Sequence, residues 1–148
     1  MEQTLIILKP DAVQRQLVGQ IIARFEAKGL HIAAMKLMQI SRELAERHYA
    51  VHQGKDFYAR LIDYITASPV VVMVLQGPHA IDVCRKMMGK TFGSQAEPGT
   101  IRGDHSITDT YNLVHGSDAP ETAEAEIALY FSEDEILSYQ RDSGRWLT

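Results

Sequence analysis

The run Asn112-Leu113-Val114-His115-Gly116-Ser117-Asp118 sets a histidine directly before Gly-Ser-Asp, where a chain can turn tightly into a helix. At such a turn an imidazole can face a cleft instead of a core. There it could act as a nucleophile and carry a transferred group as a covalent histidine intermediate. Glu126 follows eleven residues later within a helical pattern. The apolar stripe of that helix is Ala123, Ile127, Tyr130 and Phe131, and Glu126 falls at its border. A border carboxylate can tuck inward, accept the Nδ1 proton of a histidine and leave the other ring nitrogen free to attack. A structural histidine and a solvated glutamate are the plainer readings of the same two residues.

The other polar candidates are scattered. Lys9 ends a strand beside Pro10-Asp11, Arg85 sits on a helix, and Thr91 and Arg102 lie in a long loop. Together they offer three cations and a hydroxyl from distant parts of the chain, one way to hold a polyphosphate without a glycine-rich loop. Gly89-Lys90-Thr91 resembles the end of a P-loop, but Cys84 stands where the first glycine is required and a helix precedes it instead of a strand. His48 and His52 have i, i+4 spacing, yet no glutamate fills the second position and no third ligand is near in sequence. They read as exposed helix histidines, and no metal ligands are assigned. Glu121 and Glu124 read as a solvated face.

These side chains need a framework. Thr4 to Lys9 is a short β run ended by Pro10, and Val18, Ile21, Ile22 and Phe25 mark a helix stopped by Gly29. His31 to Ile40 suits a second strand, and Ser41 caps a helix through about Val51. Phe57, Leu61, Tyr64 and Ile65 share one helical face; Val70 to Leu75 is the strongest strand signal. Ala80, Val83, Cys84 and Met87 define another helix. Gly89 to Asp109 is a loop long enough to be functional. Tyr111 to Val114 reads as a fourth strand, and Ala119 to Phe131 as a last helix capped by Asp118 with Glu121 three residues on. The order favours an α+β fold of the ferredoxin-like kind, a four-stranded antiparallel sheet flanked by helices. A small doubly wound parallel sheet competes with it.

At 148 residues the chain suits one domain, 1–148, able to bury a core. A formal charge of −4 gives no footprint for nucleic-acid backbones. The single Cys84 rules out an intrachain disulfide and a cysteine-cluster metal site. No apolar run is long enough to span a membrane, and Leu5 to Leu8 is too short for a signal-peptide core. The expectation is a cytoplasmic protein.

The residues resemble those of nucleoside diphosphate kinases over nearly the whole length. Leu8-Lys9-Pro10-Asp11, Val13-Gln14-Arg15, Gly99 to Asp104 and above all Asn112 to Asp118 carry the resemblance, in order and at compatible spacing. It implies a ferredoxin-like βαββαβ core, dimers assembled into hexamers or tetramers, and transfer of the terminal phosphoryl of a nucleoside triphosphate, mainly ATP, to nucleoside diphosphates. His115 then looks like the phosphorylated nucleophile, Glu126 like the carboxylate orienting its ring, and Ser117 like that carboxylate's support. Lys9, Arg85, Thr91, Arg102 and Asn112 match positions that hold phosphates and sugar. Tyr49 resembles a tyrosine near the active histidine, Phe57 the aromatic that stacks on the base, and Leu61 its apolar neighbour. Mg²⁺ should arrive with the nucleotide, since it prefers phosphates and water to an all-protein cage. The tail through Trp146 favours a hexamer over a tetramer.

Three departures from the family pattern stand out. Ala12 replaces a glycine, Phe92-Gly93-Ser94 replaces Asn-Pro-Ala in a loop that serves subunit contacts, and Thr108-Asp109-Thr110 lacks an apolar second wall for the base. Asn112 and His115 are also three apart, so a regular strand would point them to opposite faces. A bulge or an early strand end must bring both to one cleft. A regulatory subunit that binds nucleotide without turnover is the alternative function. Nucleic-acid binding on the sheet lacks a basic-aromatic strand motif.

Overall fold

The computed structural model describes residues 1–147. Strands are β1 (Glu2–Leu8), β2 (His31–Met38), β3 (Val70–Gly77) and β4 (Val114–Gly116). Helices are α1 (Pro10–Gln14), α2 (Val18–Lys28), α3 (Arg42–His48), α4 (Tyr58–Thr66), α5 (Ala80–Met88), α6 (Ile101–His105) and α7 (Pro120–Tyr130), with a 3₁₀ turn at Ala50–His52. The sheet order is β2-β3-β1-β4, and every neighbouring pair is antiparallel. That excludes the parallel alternative. Among the described residues no helix is long and apolar enough to cross a membrane.

Alternation along the central strands builds two cores, because successive side chains leave a strand on opposite faces. Ile6 and Leu8 join Met73 and Leu75 under α2 and α5. Leu5 and Ile7 join Val70, Val72 and Val74 under α3, α4 and α7. Leu5 to Leu8 is therefore buried on both faces, which is why it reads as an unbroken apolar run.

Local signals explain most boundaries. The Ser41 hydroxyl accepts from the Leu44 amide at 3.1 Å, as an N-cap should. Gly29 ends α2 in the left-handed region at φ 109°. Other expectations need correction. Pro10 not only stops β1 but opens α1, since its fixed φ suits a first helical turn. The helix after Ser41 ends at His48, and its continuation tightens to 3₁₀. The long loop contains α6, capped by Thr100, whose hydroxyl accepts from the Gly103 amide at 2.9 Å. A Cβ on Gly103 would sit 1.8 Å from the Glu97 carbonyl oxygen, so only glycine fits that corner. Helix α7 is not capped by Asp118: Pro120 occupies its first turn, Ala119 is the N-cap, and no side chain caps it. The fourth strand comprises Val114–Gly116, later than Tyr111 to Val114, for a reason that lies in the site itself.

Candidate active site

β4 pairs with β1 so that His115 stands opposite Ile7, on the open edge of the sheet. Just before it, Leu113 takes φ +69°, and the Val114 amide donates to the Asn112 carbonyl at 2.7 Å. This three-residue turn reverses the alternation expected of a strand. Asn112 and His115 thereby line one cleft, and the early strand start is the bend that their spacing required. A leucine at positive φ is strained, and its surroundings hold it there. The Lys9 amide donates to the Leu113 carbonyl at 2.8 Å, while Asp11 Oδ2 accepts from the Leu113 amide at 3.2 Å. Asp11 Oδ1 accepts in turn from the Tyr64 hydroxyl, which itself accepts from the Asn112 amide. The side chain of Leu113 is fully buried.

The ring of His115 is one-fifth exposed and its Nε2 lies 3.0 Å from Glu126 Oε1. The Ser117 hydroxyl donates to that same oxygen at 2.7 Å and accepts from the Leu5 amide at 3.2 Å. Burial works to raise the Glu126 pKa, but the hydrogen bond and charge of His115, with the Ser117 hydroxyl, outweigh it and hold the group below its ordinary value. An ionised Glu126 accepts a proton on Nε2, so Nδ1 carries the free lone pair. The nitrogen held by the carboxylate is therefore Nε2, the reverse of the sequence expectation. Glu126 meets the ring at its outer nitrogen, the one farther from the β4 backbone.

Facing the histidine is a group of cations. Lys9 Nζ donates to Asn112 Oδ1 at 2.8 Å, and Asn112 Nδ2 donates to the Thr91 carbonyl at 3.0 Å. Arg102 donates from Nε to the Asn112 carbonyl, from Nη1 to that of Gly89 and from Nη2 to that of Val114. It braces the loop around Asn112 while its guanidinium still borders the cleft. Arg85 Nη1 donates to the Gly116 carbonyl at 3.2 Å. Burial, followed by Arg102, pushes Lys9 down to about 7 against the pull of Asp11. Burial and Arg85 together push Arg102 down to about 10. Among the described residues, none of these three cations has a carboxylate within ion-pair distance. Mutually repelling cations without anionic partners form a site for an anion.

The cleft encloses about 800 Å³. Phe57, 38% exposed, and half-buried Leu61 form its apolar end. Tyr49 is buried nearer the histidine, its ring edge-on to His48, and burial followed by Glu126 raises its hydroxyl to about 12. Thr91 is exposed on the wall. All eleven residues singled out from the sequence meet here except Ser117, which is fully buried behind Glu126.

One neighbour was missed. His48 is not an exposed helix histidine: its side chain is 2% exposed, its Nδ1 lies 3.2 Å from the Tyr130 hydroxyl, and its ring meets His115 edge-on at 4.8 Å. The signal was present in α3, where Leu44, Ala45 and His48 follow i, i+1, i+4 spacing along the inward stripe. His52 lies apart, in the 3₁₀ turn beside Lys55.

Comparison with known proteins gives a consistent result. The nucleoside diphosphate kinase family profile matches residues 2–136. A nucleoside diphosphate kinase of Thermomicrobium roseum is 58% identical over 147 residues, covering 99% of both chains. One from Listeria monocytogenes is 55% identical, over 99% of this chain and 100% of the other. Among solved structures, a halophilic nucleoside diphosphate kinase from Halobacterium salinarum in complex with CDP superposes with a TM-score of 0.97 at 44% identity, over 99% and 98% of the two chains. A family protein from Babesia bovis gives 0.96 at 39% identity over the full length of both. By sequence and by fold alike, this chain belongs to the nucleoside diphosphate kinase family.

Proposed function

We propose that this phosphotransferase moves the γ-phosphoryl of a nucleoside triphosphate, mainly ATP, to nucleoside diphosphates by way of His115. The observation that carries the reading is the relay from the Leu5 amide through Ser117 and Glu126 to His115 Nε2, which leaves Nδ1 bare beside three unpaired cations. In the first half-reaction the Nδ1 lone pair forms a bond to the γ-phosphorus while the bond to the β-phosphate oxygen breaks, releasing the diphosphate. The imidazole becomes cationic as it attacks, and Glu126, accepting Nε2–H, stabilises that charge. A second diphosphate reverses the step, so ping-pong kinetics follow.

Lys9, Arg85, Thr91, Arg102 and Asn112 hold the phosphates and sugar in this reading. Since the transition state is loose, their positioning and charge supply most of the catalysis. Tyr49 packs beside the nucleophile, and Phe57 with Leu61 receives the base. A π face suits every base, which accounts for breadth of diphosphate acceptor. The donor set of the cleft fits Mg²⁺ only as the companion of a nucleotide. Its phosphate end is cationic, and Glu126 is already engaged by Ser117 and His115, so phosphate oxygens and water would hold the ion. When bound it supplies neutralisation of phosphate charge.

We infer a single-domain cytoplasmic enzyme that assembles from dimers, with a hexamer favoured over a tetramer. The open edge strand β2, with Met35 and Leu37 exposed, and the exposed Trp146 support self-association. The test of function is incubation with γ-labelled ATP and magnesium. Acid-labile label that passes to added diphosphate, and is absent in His115→Ala, is expected. A wild-type protein that takes no label would end the proposal and leave the non-catalytic nucleotide-binding alternative.

A further inference from the structure

Two imidazoles and a carboxylate meet at the closed end of the cleft. His48 Nε2 lies 3.9 Å from Glu126 Oε2, and His115 Nε2 lies 3.0 Å from Glu126 Oε1. One donor atom from each residue falls within 4.8 Å of the other two. The phosphoryl-transfer reading uses His115 and Glu126 but gives His48 Nε2 no task. We propose that His48, His115 and Glu126 form a binding site for an imidazole-preferring divalent transition ion, Zn²⁺ fitting best, and that its occupation silences His115.

Two imidazole nitrogens and one carboxylate oxygen are a ligand set that zinc takes in open sites, with water in the fourth position. Bonds of about 2.0–2.2 Å put neighbouring ligands of a tetrahedral ion ~3.4 Å apart. The observed 3.0 and 3.9 Å bracket that separation but reach the two different oxygens of Glu126. The carboxylate must therefore turn and the rings draw together for one oxygen and both imidazoles to share an ion. Outer contacts are in place. The Tyr130 oxygen can accept Nδ1–H of a metal-bound His48, and Ser117 fixes Glu126. Mg²⁺ is a poor occupant because it demands oxygens, whereas nitrogen ligands favour zinc and copper.

The consequence for His115 is a change of tautomer. An ion bonded to Nε2 displaces the proton there, and the ring stays neutral by carrying that proton on Nδ1. One proton relocates and none is lost. Nδ1–H has no lone pair in the ring plane to attack phosphorus, and the hydrogen bond to Glu126 is gone. The ion site rests on geometry alone; the silencing rests on the reading of His115 Nδ1 as nucleophile.

The test uses nucleotide-free, full-length protein titrated with ZnCl₂, followed by calorimetry and by long-range ¹H–¹⁵N NMR of the histidine rings. One ion per chain is expected, with the Nε2 resonances of His48 and His115 moving to metal-bound positions. Shifts at His52, His79 or His105 instead, or no binding, would overturn the site. Glu126→Gln and His48→Gln should each weaken binding by at least ~10-fold. Unchanged affinity in both folded variants also overturns it. His48 is buried and its variant can unfold, but the wild-type NMR result stands without it. For silencing, protein preloaded with zinc and freed of excess ion should take label from γ-labelled ATP at least tenfold more slowly, with recovery on chelation. Full labelling with zinc on both Nε2 atoms refutes silencing. Zinc-free protein that takes no label refutes the nucleophile reading while the ion site stands.

Discussion

The two ends of the cleft are built differently. At the histidine end a chain of hydrogen bonds ties the ring to the sheet: His115 to Glu126, Glu126 to Ser117, Ser117 to the amide of fully buried Leu5. At the end proposed to receive the base, Phe57 and Phe92 stand 38% and 49% exposed, and Asp109 is held by the exposed Ser94. The contrast separates two requirements of one reaction. In-line transfer needs the nitrogen held in place, since a small misplacement is costly. Acceptance of many bases needs a surface that recognises only their shared π face. Substitutions at the first end should therefore lower turnover, and those at the second should alter binding.

The largest effect is expected from His115→Ala, which removes the proposed nucleophile and should reduce transfer to background while nucleotide binding survives; calorimetry beside a coupled assay checks both. Next comes Glu126→Gln, which keeps the shape but weakens the grip on Nε2–H. Turnover should fall on the order of 10- to 100-fold with little change in nucleotide affinity. Phe57→Ala should cost about 1–3 kcal/mol of stacking, read as a higher KM with kcat less altered. If instead kcat alone fell, the division between the two ends would be wrong. The smallest effect belongs to Asp109→Val, which adds an apolar wall to the slot and should raise affinity slightly for all bases.

Lys9 links the ends to pH. Its pKa of about 7 in the empty cleft means that near pH 8 it is mostly neutral. A bound polyphosphate favours the charged form and raises that value, so binding must take up a proton. Calorimetry at pH 8 in buffers of different ionisation enthalpy should show uptake approaching one proton per nucleotide. The uptake should fade below pH 6, where Lys9 is already charged, and disappear in Lys9→Met.

Much of this was legible in residue order. Val70 to Leu75 and Leu5 to Leu8 read as strands because strands buried on both faces need unbroken apolar runs. Lys9, Arg85, Thr91 and Arg102 share no local pattern, so residue chemistry alone could only offer them as one way to hold a polyphosphate, and it took the family resemblance to match each to a phosphate or sugar position. What escaped was decided by tertiary contact. The positive φ of Leu113 is imposed by Asp11 and Lys9, about a hundred residues away, and a leucine gives no local hint of it. The choice of Nε2 depends on where α7 crosses the ring. The burial of His48 was legible in its helical spacing, but polarity argued for the surface.

The relay from Leu5 to His115 makes one claim more directly testable than the rest, namely which nitrogen attacks. Wild-type protein phosphorylated by ATP, denatured in alkali and analysed by ³¹P NMR should carry its phosphoryl group on Nδ1 of His115. A phosphoryl group on Nε2, the nitrogen assigned here to Glu126, would contradict the account.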